Sequence, residues 1–554
     1  MFVREKRIGP YTYLYLVETV REDGRVKQRI IHNLGRKEEV ERRGDLDRLV
    51  RSAARLAQRS MILSLLEEDS VPALACKRIG PPLLFERLWR DTQCATVLNE
   101  LLADRGFGFP VERAVFLAVL QRLMVSGSDR AGAQWHADYR IPGTDDLHLH
   151  HLYRAMAWLG EELPAAEQTG RTLTPRCVKD HVEERLFAHR SDLFSELSVV
   201  FMDTTSLYFE GAGGATLGER GHSKDYRPQL NQMILAVVVD QAGRPVCSEM
   251  WPGDTADVTT LIPVVDRLRG RFAIGRVCVV ADRGMISAET IAALEERGLE
   301  YILGVRERGS PEVREVVLAD PAPSVALVIP HKGRPDTELQ AKEVMVGERR
   351  YIVCRNLTEA AEDARTRAAV VASLRAKLKQ GDKSLVGNSA YRRYLKTPHE
   401  QHFVIDEDRI AEEARYDGLY VLRTNTRLPP LAVMLRYRDL LVVEQMFRTA
   451  KDLLETRPIY HQTDEAIRGH VFCSFLALVL RKELEDRLAR ARLKPGWREL
   501  LADLDRLQEI EAEQDGKRFL LRTPVTGVAG KVFQAVGIAL PPQIRPADPP
   551  AVAA

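Results

Sequence analysis

Residues 276–282, RVCVVAD, constrain the fold most. A short, unbroken apolar run that ends in an acid reads as a strand buried on both faces, not as one face of an amphipathic element. Its neighbours agree with it. LSVVFMDTTSLYF (197–209) is a β run. LNQMILAVVVD and RPVCSEMW follow as two more strands around the turn Asp240-Gln241-Ala242-Gly243. Residues 257–269 then predict a helix, Ser287 caps a second one running to about Glu296, and LEYILGV returns as a strand. Strands joined by tight turns, followed by alternating helix and strand, define an α/β domain with a mixed sheet flanked by helices.

The rest of the chain divides around this domain. YTYLYLVETV and RVKQRIIHNLG, joined by Arg21-Glu22-Asp23-Gly24, predict a basic β-hairpin module over 1–36. From 37 to 195 the apolar spacing is helical, as in RAVFLAVLQRLM. His148, His150 and His151 lack the i, i+4 spacing of a helical metal pair and read as a helix start. Residues 307–415 interrupt the α/β pattern. There EVVLAD, VALVIP and EVMVGERRYIVCRN read as β-rich and 361–378 as helical. Nine Lys/Arg lie between 365 and 396 (Arg365, Arg367, Arg375, Lys377, Lys379, Lys383, Arg392, Arg393, Lys396) against the single acid Asp382. GLYVLRTN resumes the sheet at 416. Two long helices are expected near 432–455 and 464–490, then a helical segment and a disordered Pro-rich tail over 491–554.

With 554 residues the chain exceeds one ordinary core. It is 45% hydrophobic and 29% charged, and its apolar runs fall short of the roughly 18 residues a membrane span needs. MFVREKRIGP holds no apolar leader, so a cytoplasmic, nucleoid-associated protein with no membrane partner is expected. The seven cysteines, at 76, 94, 177, 247, 278, 354 and 473, have the spacing of neither a zinc site nor a disulfide framework. A net charge of +2 means that any nucleic-acid partner must be met by local patches.

Asp203 follows the apolar run VVFM, and Asp282 follows VCVVA. An acid at the end of a buried strand is poorly solvated and favours a cation partner. The carboxyl ends of strands are also where open α/β sheets bind ligands. Glu444 lies on YRDLLVVEQMFRTAKDLLE with Arg448 four residues on and Lys451 seven on, a spacing that predicts one shared helix face. Taken one at a time, each acid also reads as a loop cap or a surface pair. Together, three carboxylates supply the oxygen ligands of two Mg²⁺, with Lys and Arg at hand for a phosphate oxygen.

These residues resemble those of the DDE insertion-sequence transposases with a ribonuclease-H-like catalytic domain, in the group marked by a tyrosine–arginine–glutamate–lysine helix. The pattern Y-x2-R-x3-E-x6-K meets Tyr437, Leu440, Glu444 and Lys451, so leucine stands where the group has arginine. Arg436, Arg438 and Arg448 are the candidates to replace it. MDTTSLYFEG, GHSKDYRPQLNQ, VVADRGMIS, YDGLYVLRTN and VEQMFRTAKDLLETRPIYHQTDEAIRGHVFCSFLAL are similar to the family's blocks in the same order, over about residues 1–490.

The resemblance implies a ribonuclease-H-like domain over 196–306 and 416–490, an insertion over 307–415 and a DNA-end-binding region over 37–195. It implies catalysis by Asp203, Asp282, Glu444, Lys451 and Tyr437, with the three carboxylates holding two Mg²⁺ that Mn²⁺ can replace. Arg448, Arg283, Arg375, Lys377, Lys379, Arg392 and Arg393 are the expected DNA contacts. The partners implied are terminal inverted repeats, target DNA and a second copy of the chain on paired ends. Some relatives hold a flipped base on a tryptophan of the insertion. Here no tryptophan lies between Trp251 and Trp497, which leaves Tyr351, Tyr391 and Tyr394 as aromatics able to stack. The alternatives are a DNA-binding protein that has lost catalysis, as Leu440 suggests, and a ribonuclease-H-like nuclease indifferent to terminal repeats.

Overall fold

The computed structural model describes residues 1–22, 25–46, 48–49, 73–168, 174–190, 199–272, 277–306, 308–329, 337–379, 393–396, 403–514 and 517–547. Two compact units emerge, one built from 1–79, 505–526 and 540–554 and the other from 80–504 and 527–539.

In the first unit, the N-terminal sheet has three antiparallel strands, β1 (Phe2–Ile8), β2 (Tyr11–Glu22) and β3 (Arg25–Arg36), followed by α1 (Lys37–Arg43). The expected hairpin is thus joined by a third strand, whose charged alternation FVREKRI leaves every residue exposed. A second sheet corrects two expectations. Its order is β18-β17-β16-β4, from β4 (Ala73–Arg78), β16 (Gln508–Gln514), β17 (Lys517–Arg522) and β18 (Ile544–Pro546). Residues 37–195 are therefore not all helical, and the tail from 541 is not all irregular. QEIEAEQ hides its β character because charged residues occupy one side of a strand, and pairing over more than 400 residues carries no local signal.

The second unit is the α/β domain with its helical supports. Before the main sheet run α2 (Gly80–Asp91), α3 (Cys94–Leu102), α4 (Val111–Met124), α5 (Asp129–Trp135), α6 (Leu149–Leu159) and α7 (Val178–Arg190). The histidines at the start of α6 form a cap, not a metal site: the His148 backbone N–H donates to His151 Nδ1 at 3.1 Å. The sheet strands are β5 (Val199–Tyr208), β6 (Gln232–Asp240), β7 (Pro245–Pro252), β8 (Cys278–Ala281) and β9 (Glu300–Val305). In space they run β7-β6-β5-β8-β9, with β5, β6 and β7 antiparallel and β8 and β9 parallel to β5. That is the ribonuclease-H-like order. α8 (Leu261–Phe272) and α9 (Ala288–Glu296) cross between the parallel strands, and the Ser287 hydroxyl caps α9 by accepting from the Thr290 N–H at 3.1 Å.

The insertion extends this same sheet instead of forming a separate β body. β10 (Val325–Ile329), β11 (Thr337–Val346), β12 (Arg349–Asn356) and β15 (Leu419–Thr424) add to β9 in the order β10-β11-β12-β15-β9. A small ribbon, β13 (Leu395–Lys396) with β14 (Val404–Ile405), stands apart. EVVLAD is not a strand: Val313–Val317 form a helical turn that buries Val313 and Val317 against Tyr351 and Val421. α10 (Leu357–Leu378) and α11 (Glu407–Ala414) complete the insertion.

The helix expected near 432–455 is broken into α12 (Pro430–Arg438), α13 (Leu441–Arg448) and a π-helical turn at Thr449–Leu453. At the break, the N–H groups of Leu440, Val442 and Val443 bond three residues back instead of four. α14 (Asp464–Arg490) follows, buried almost continuously from Ile467 to Leu480. Its approach to α6 requires glycine, since a Cβ on Gly469 would lie 1.8 Å from the Met156 carbonyl oxygen. α15 (Trp497–Asp505) and α16 (Ala529–Val536) close the unit.

Beneath the sheet lies a buried ion network. Arg271 of α8 pairs with Asp180, Glu183 and Glu184 of α7 (3.1, 2.7 and 2.7 Å) and with Glu249 of β7 (3.4 Å). Burial opposes the charge on Asp180, but Lys179 and Arg271 hold its carboxyl well below the usual range. Burial pushes the Glu183 carboxyl up. All seven cysteines are free and six are buried; Cys76 is exposed. No described helix is long and apolar enough to cross a membrane.

Candidate active site

Met202 of β5 pairs with Ala281 of β8. Asp203 and Asp282 are thus the next residues on two adjacent parallel strands, roughly 4.8 Å apart. One expectation shifts here. Asp282 follows the end of its strand, but Asp203 is mid-strand, because β5 runs on to Tyr208 against β6 alone. What ends at Asp203 is the partner β8, so from Asp203 onward β5 is paired on one side only.

Glu444 joins them from α13, which packs on β5, and its charge acts on Asp203. Burial pushes the Asp203 carboxyl up to about 6. Lys224 and the Thr204 N–H (2.7 Å to Oδ1) oppose the rise, while Asp282 and Glu444 add to it. Tyr437 approaches from α12, and its hydroxyl donates to Asp282 Oδ1 at 2.9 Å. Burial and the charge of Asp282 raise the phenol, so it remains a donor. Gly304 of β9 makes room for it, since a Cβ there would lie 2.4 Å from the Tyr437 hydroxyl. Tyr437 therefore orients a carboxylate; among the described residues its hydroxyl is not turned to open space.

The three cations of this region separate. Glu444 and Arg448 are exposed, whereas Lys451 is buried, so the predicted common face does not hold. The wider turn at Thr449–Leu453 rotates Lys451 inward, where its ammonium lies 2.8 Å from Asp225 Oδ1. Arg283 follows Asp282 directly and is exposed. In the insertion, Arg375 pairs with Glu407 (2.8 Å), Arg393 with Glu413 (3.7 Å) and Lys396 with Asp406 (3.4 Å). The local excess of base is thus offset by acids on or beside α11. Lys377 and Lys379 end α10, while Arg392, Lys383 and Tyr391 lie outside the described residues. Tyr351 and Tyr394 are buried, which removes both as stacking surfaces.

Sequence reasoning missed the support around Asp203. The Lys224 ammonium donates to the Thr204 carbonyl and hydroxyl (both 2.7 Å) and pairs with Asp257 (3.0 Å), while the Thr204 hydroxyl donates to Asp257 at 2.8 Å. The only signal was the block GHSKDYRPQLNQ, which carries Lys224 and Asp225. A second cluster also escaped notice. Potential ligand atoms of Asp129, His461 and His470 lie within 4.8 Å of one another. Arg122 already supplies a cation there, 3.2 Å from Asp129 and 2.9 Å from His470 Nδ1, so this cluster is complete without a metal.

The donor set at Asp203, Asp282 and Glu444 suits a hard cation. It is all oxygen, its acids disfavour one another's charge, and one carboxyl is raised by burial. A sheet in this order with an acid trio gathered where β8 ends beside β5 defines a ribonuclease-H-like domain of the polynucleotidyl-transferase type. Residues 194–480 match the transposase DDE domain and residues 2–69 match the N-terminal domain of the IS1634 family transposases. The first match alone spans more than half of the 554 residues. The chain belongs to the DDE insertion-sequence transposases. No curated protein matches the sequence. Among solved structures it is similar to a piggyBac transposase synaptic complex with hairpin DNA, with 10% identity, 77% of this chain and 79% of that chain covered, and a TM-score of 0.37. It is also similar to a Mos1 transposase paired-end complex with left transposon end, with 13% identity, 36% and 61% covered, and a TM-score of 0.14.

Phenylalanine at 437 removes the donor to Asp282 and little else. Tyr437→Phe is expected to weaken metal affinity or cleavage about 10–100-fold, the usual effect of losing a partner that orients a ligand. An unchanged Mg²⁺ titration together with unchanged cleavage would contradict this role.

Proposed function

We propose that this transposase cuts the DNA strand at the ends of its element and joins the freed 3′-OH to target DNA, with Asp203, Asp282 and Glu444 as the ligands of two Mg²⁺ or Mn²⁺ ions. The observation that carries the reading is that Asp282, at the carboxyl end of β8, and Glu444, from α13, both act on mid-strand Asp203 of β5, whose carboxyl is raised to about 6. The ions, when bound, supply charge stabilisation at the phosphate oxygens and at the attacking and leaving oxygens. The protein's own part is orientation and charge. Tyr437 fixes the rotamer of Asp282, Lys224 holds the backbone after Asp203, and Lys451 offers an ammonium to a phosphate oxygen. Arg283 and Arg448, exposed beside two of the acids, are placed to meet neighbouring phosphates. Lys377, Lys379 and the terminal-repeat contacts belong to the same reading, as do a homodimer on paired ends and a nucleoid location.

The electrostatics make a stability test possible. A carboxyl raised in the folded state contributes stability that is fully present below about pH 4 and is lost as pH rises through about 6. By pH 7 the metal-free fold carries a penalty of about 2–3 kcal/mol from Asp203. Asp203→Asn is therefore expected to raise the urea midpoint of the metal-free protein at pH 7 and to have no such effect at pH 4. Mg²⁺ is expected to stabilise the wild type and not this variant. Equal stabilisation of both by Mg²⁺ would remove Asp203 from the ligand set.

A second reading is favoured by Leu440, which is buried at 6% exposure and leaves no cation at its signature position. On that reading the chain binds element ends and does not cut them.

A further inference from the structure

We propose that Arg457 supplies the guanidinium that the signature helix lacks at Leu440, and that Asp225 is the positioning residue that holds Arg457 and Lys451 together for one DNA phosphate. The inference rests on the strand-cleavage reading of the site and names the residues that would grip the phosphate there.

The candidates within the signature segment itself point elsewhere. Arg436 lies against the Cys278 thiol, at the opposite end of β8 from Asp282. Arg438 is exposed and acts on Asp439. Arg448 is exposed at the end of α13. Arg457, outside the signature, shares a carboxylate with the signature lysine. Its Nε lies 3.0 Å from Asp225 Oδ2 and its Nη2 lies 3.2 Å from Oδ1, while Lys451 Nζ lies 2.8 Å from that same Oδ1. The Asp225 side chain is 8% exposed, against 10% for Lys451 and 21% for Arg457. Two cations packed this closely out of water would repel each other, and the shared carboxylate removes that cost.

The arrangement leaves the right chemistry over. Arg457 Nη1 donates to the Lys451 carbonyl at 3.5 Å, so three of its five N–H groups make hydrogen bonds, and Nη2 also lies 3.7 Å from the carboxylate of Asp452, which is 65% exposed and free to turn away. Lys451 spends one of three. The trio of Asp225, Lys451 and Arg457 carries a net charge of +1, and the exposed Asp452 beside Arg457 is the counter-charge that one phosphodiester would replace. The guanidinium also sits over the Tyr208 ring, 5.8 Å from its centroid, and Tyr208 ends the strand that carries Asp203. On its other side Asp225 follows Lys224, which is bonded to Thr204 next to Asp203. The phosphate grip is therefore tied to the catalytic strand at two points.

The test is binding of a duplex carrying the element's end across a range of salt, with cleavage at saturating DNA measured alongside. Removing one phosphate contact lowers the slope of log K against log salt by about 0.9. Arg457→Ala is expected to show that loss, with cleavage down about tenfold to a hundredfold. Arg457→Lys should restore the slope and only part of the cleavage, since the planar fork is gone. Asp225→Asn should retain the slope and lose cleavage at saturation, as a positioning residue must. Arg438→Ala should change neither. Should Arg457→Ala fail to fold, Arg457→Gln, which retains a hydrogen bond to Asp225, carries the slope measurement. An unchanged slope for Arg457→Ala, or a reduced one for Arg438→Ala, overturns the proposal. If the wild type binds ends and never cuts in Mg²⁺ or Mn²⁺, the strand-cleavage reading falls, and the slopes still decide whether Arg457 holds a phosphate.

Discussion

Asp282→Asn is expected to lower metal-dependent strand cleavage by more than about a hundredfold while leaving binding to the element's ends intact. Asparagine keeps the size and the acceptor oxygen, so Tyr437 retains a partner for its hydroxyl and the edge of β8 is undisturbed. What is lost is a negative charge beside Asp203. Removing one preorganised electrostatic partner from a site costs about 10²–10³ in rate. End binding depends on phosphate contacts made elsewhere, which a neutral residue at 282 does not remove. Gel-shift and cleavage assays on the same DNA separate the two effects. Parallel loss of both would mean that Asp282 is structural.

The largest stability effect is expected far from the carboxylates. Arg271→Ala leaves Asp180, Glu183, Glu184 and Glu249 without the cation they share. Lys179, Arg267 and Arg176 remain, three cations for the four acids: Lys179 reaches Asp180 and Glu183, Arg267 reaches Glu249 and Arg176 reaches Glu184. Breaking a buried pair by removing one partner costs about 3–5 kcal/mol, since an uncompensated charge stays buried. Because α7, α8 and β7 meet at this network, thermal unfolding of the α/β domain should move down by several degrees. A melting temperature equal to that of the wild type would show that the acids take up protons at little cost.

Legibility tracked how local each cause was. Asp282 could be placed from RVCVVAD because a buried strand and the acid after it are written in seven consecutive residues. The Ser287 cap and the run LNQMILAVVVD were readable for the same reason. The second sheet of the N-terminal unit was not, because β4 and β16 are far apart in sequence and alternate weakly. The common face of Glu444, Arg448 and Lys451 assumed an unbroken α-helix. A π-helical turn is set by packing, and Lys451 follows Asp225, not the helical period. The counter-charges of the insertion's basic run were not legible for a similar reason, since they come from α11, later in the chain. Leu440 was seen as a departure from the signature. Its replacement lay outside the signature, where no spacing rule looks.

The most direct measurement is strand cleavage by the wild-type chain on duplexes carrying both ends of its element, with Mg²⁺ present or chelated. Breaks are expected at the element's ends that leave 3′-OH groups, appear only with the divalent ion, and are absent on DNA lacking the terminal repeats. Stable binding to the ends without breaks in either Mg²⁺ or Mn²⁺ would contradict this expectation and leave a DNA-binding protein that retains the fold of a transposase without its chemistry.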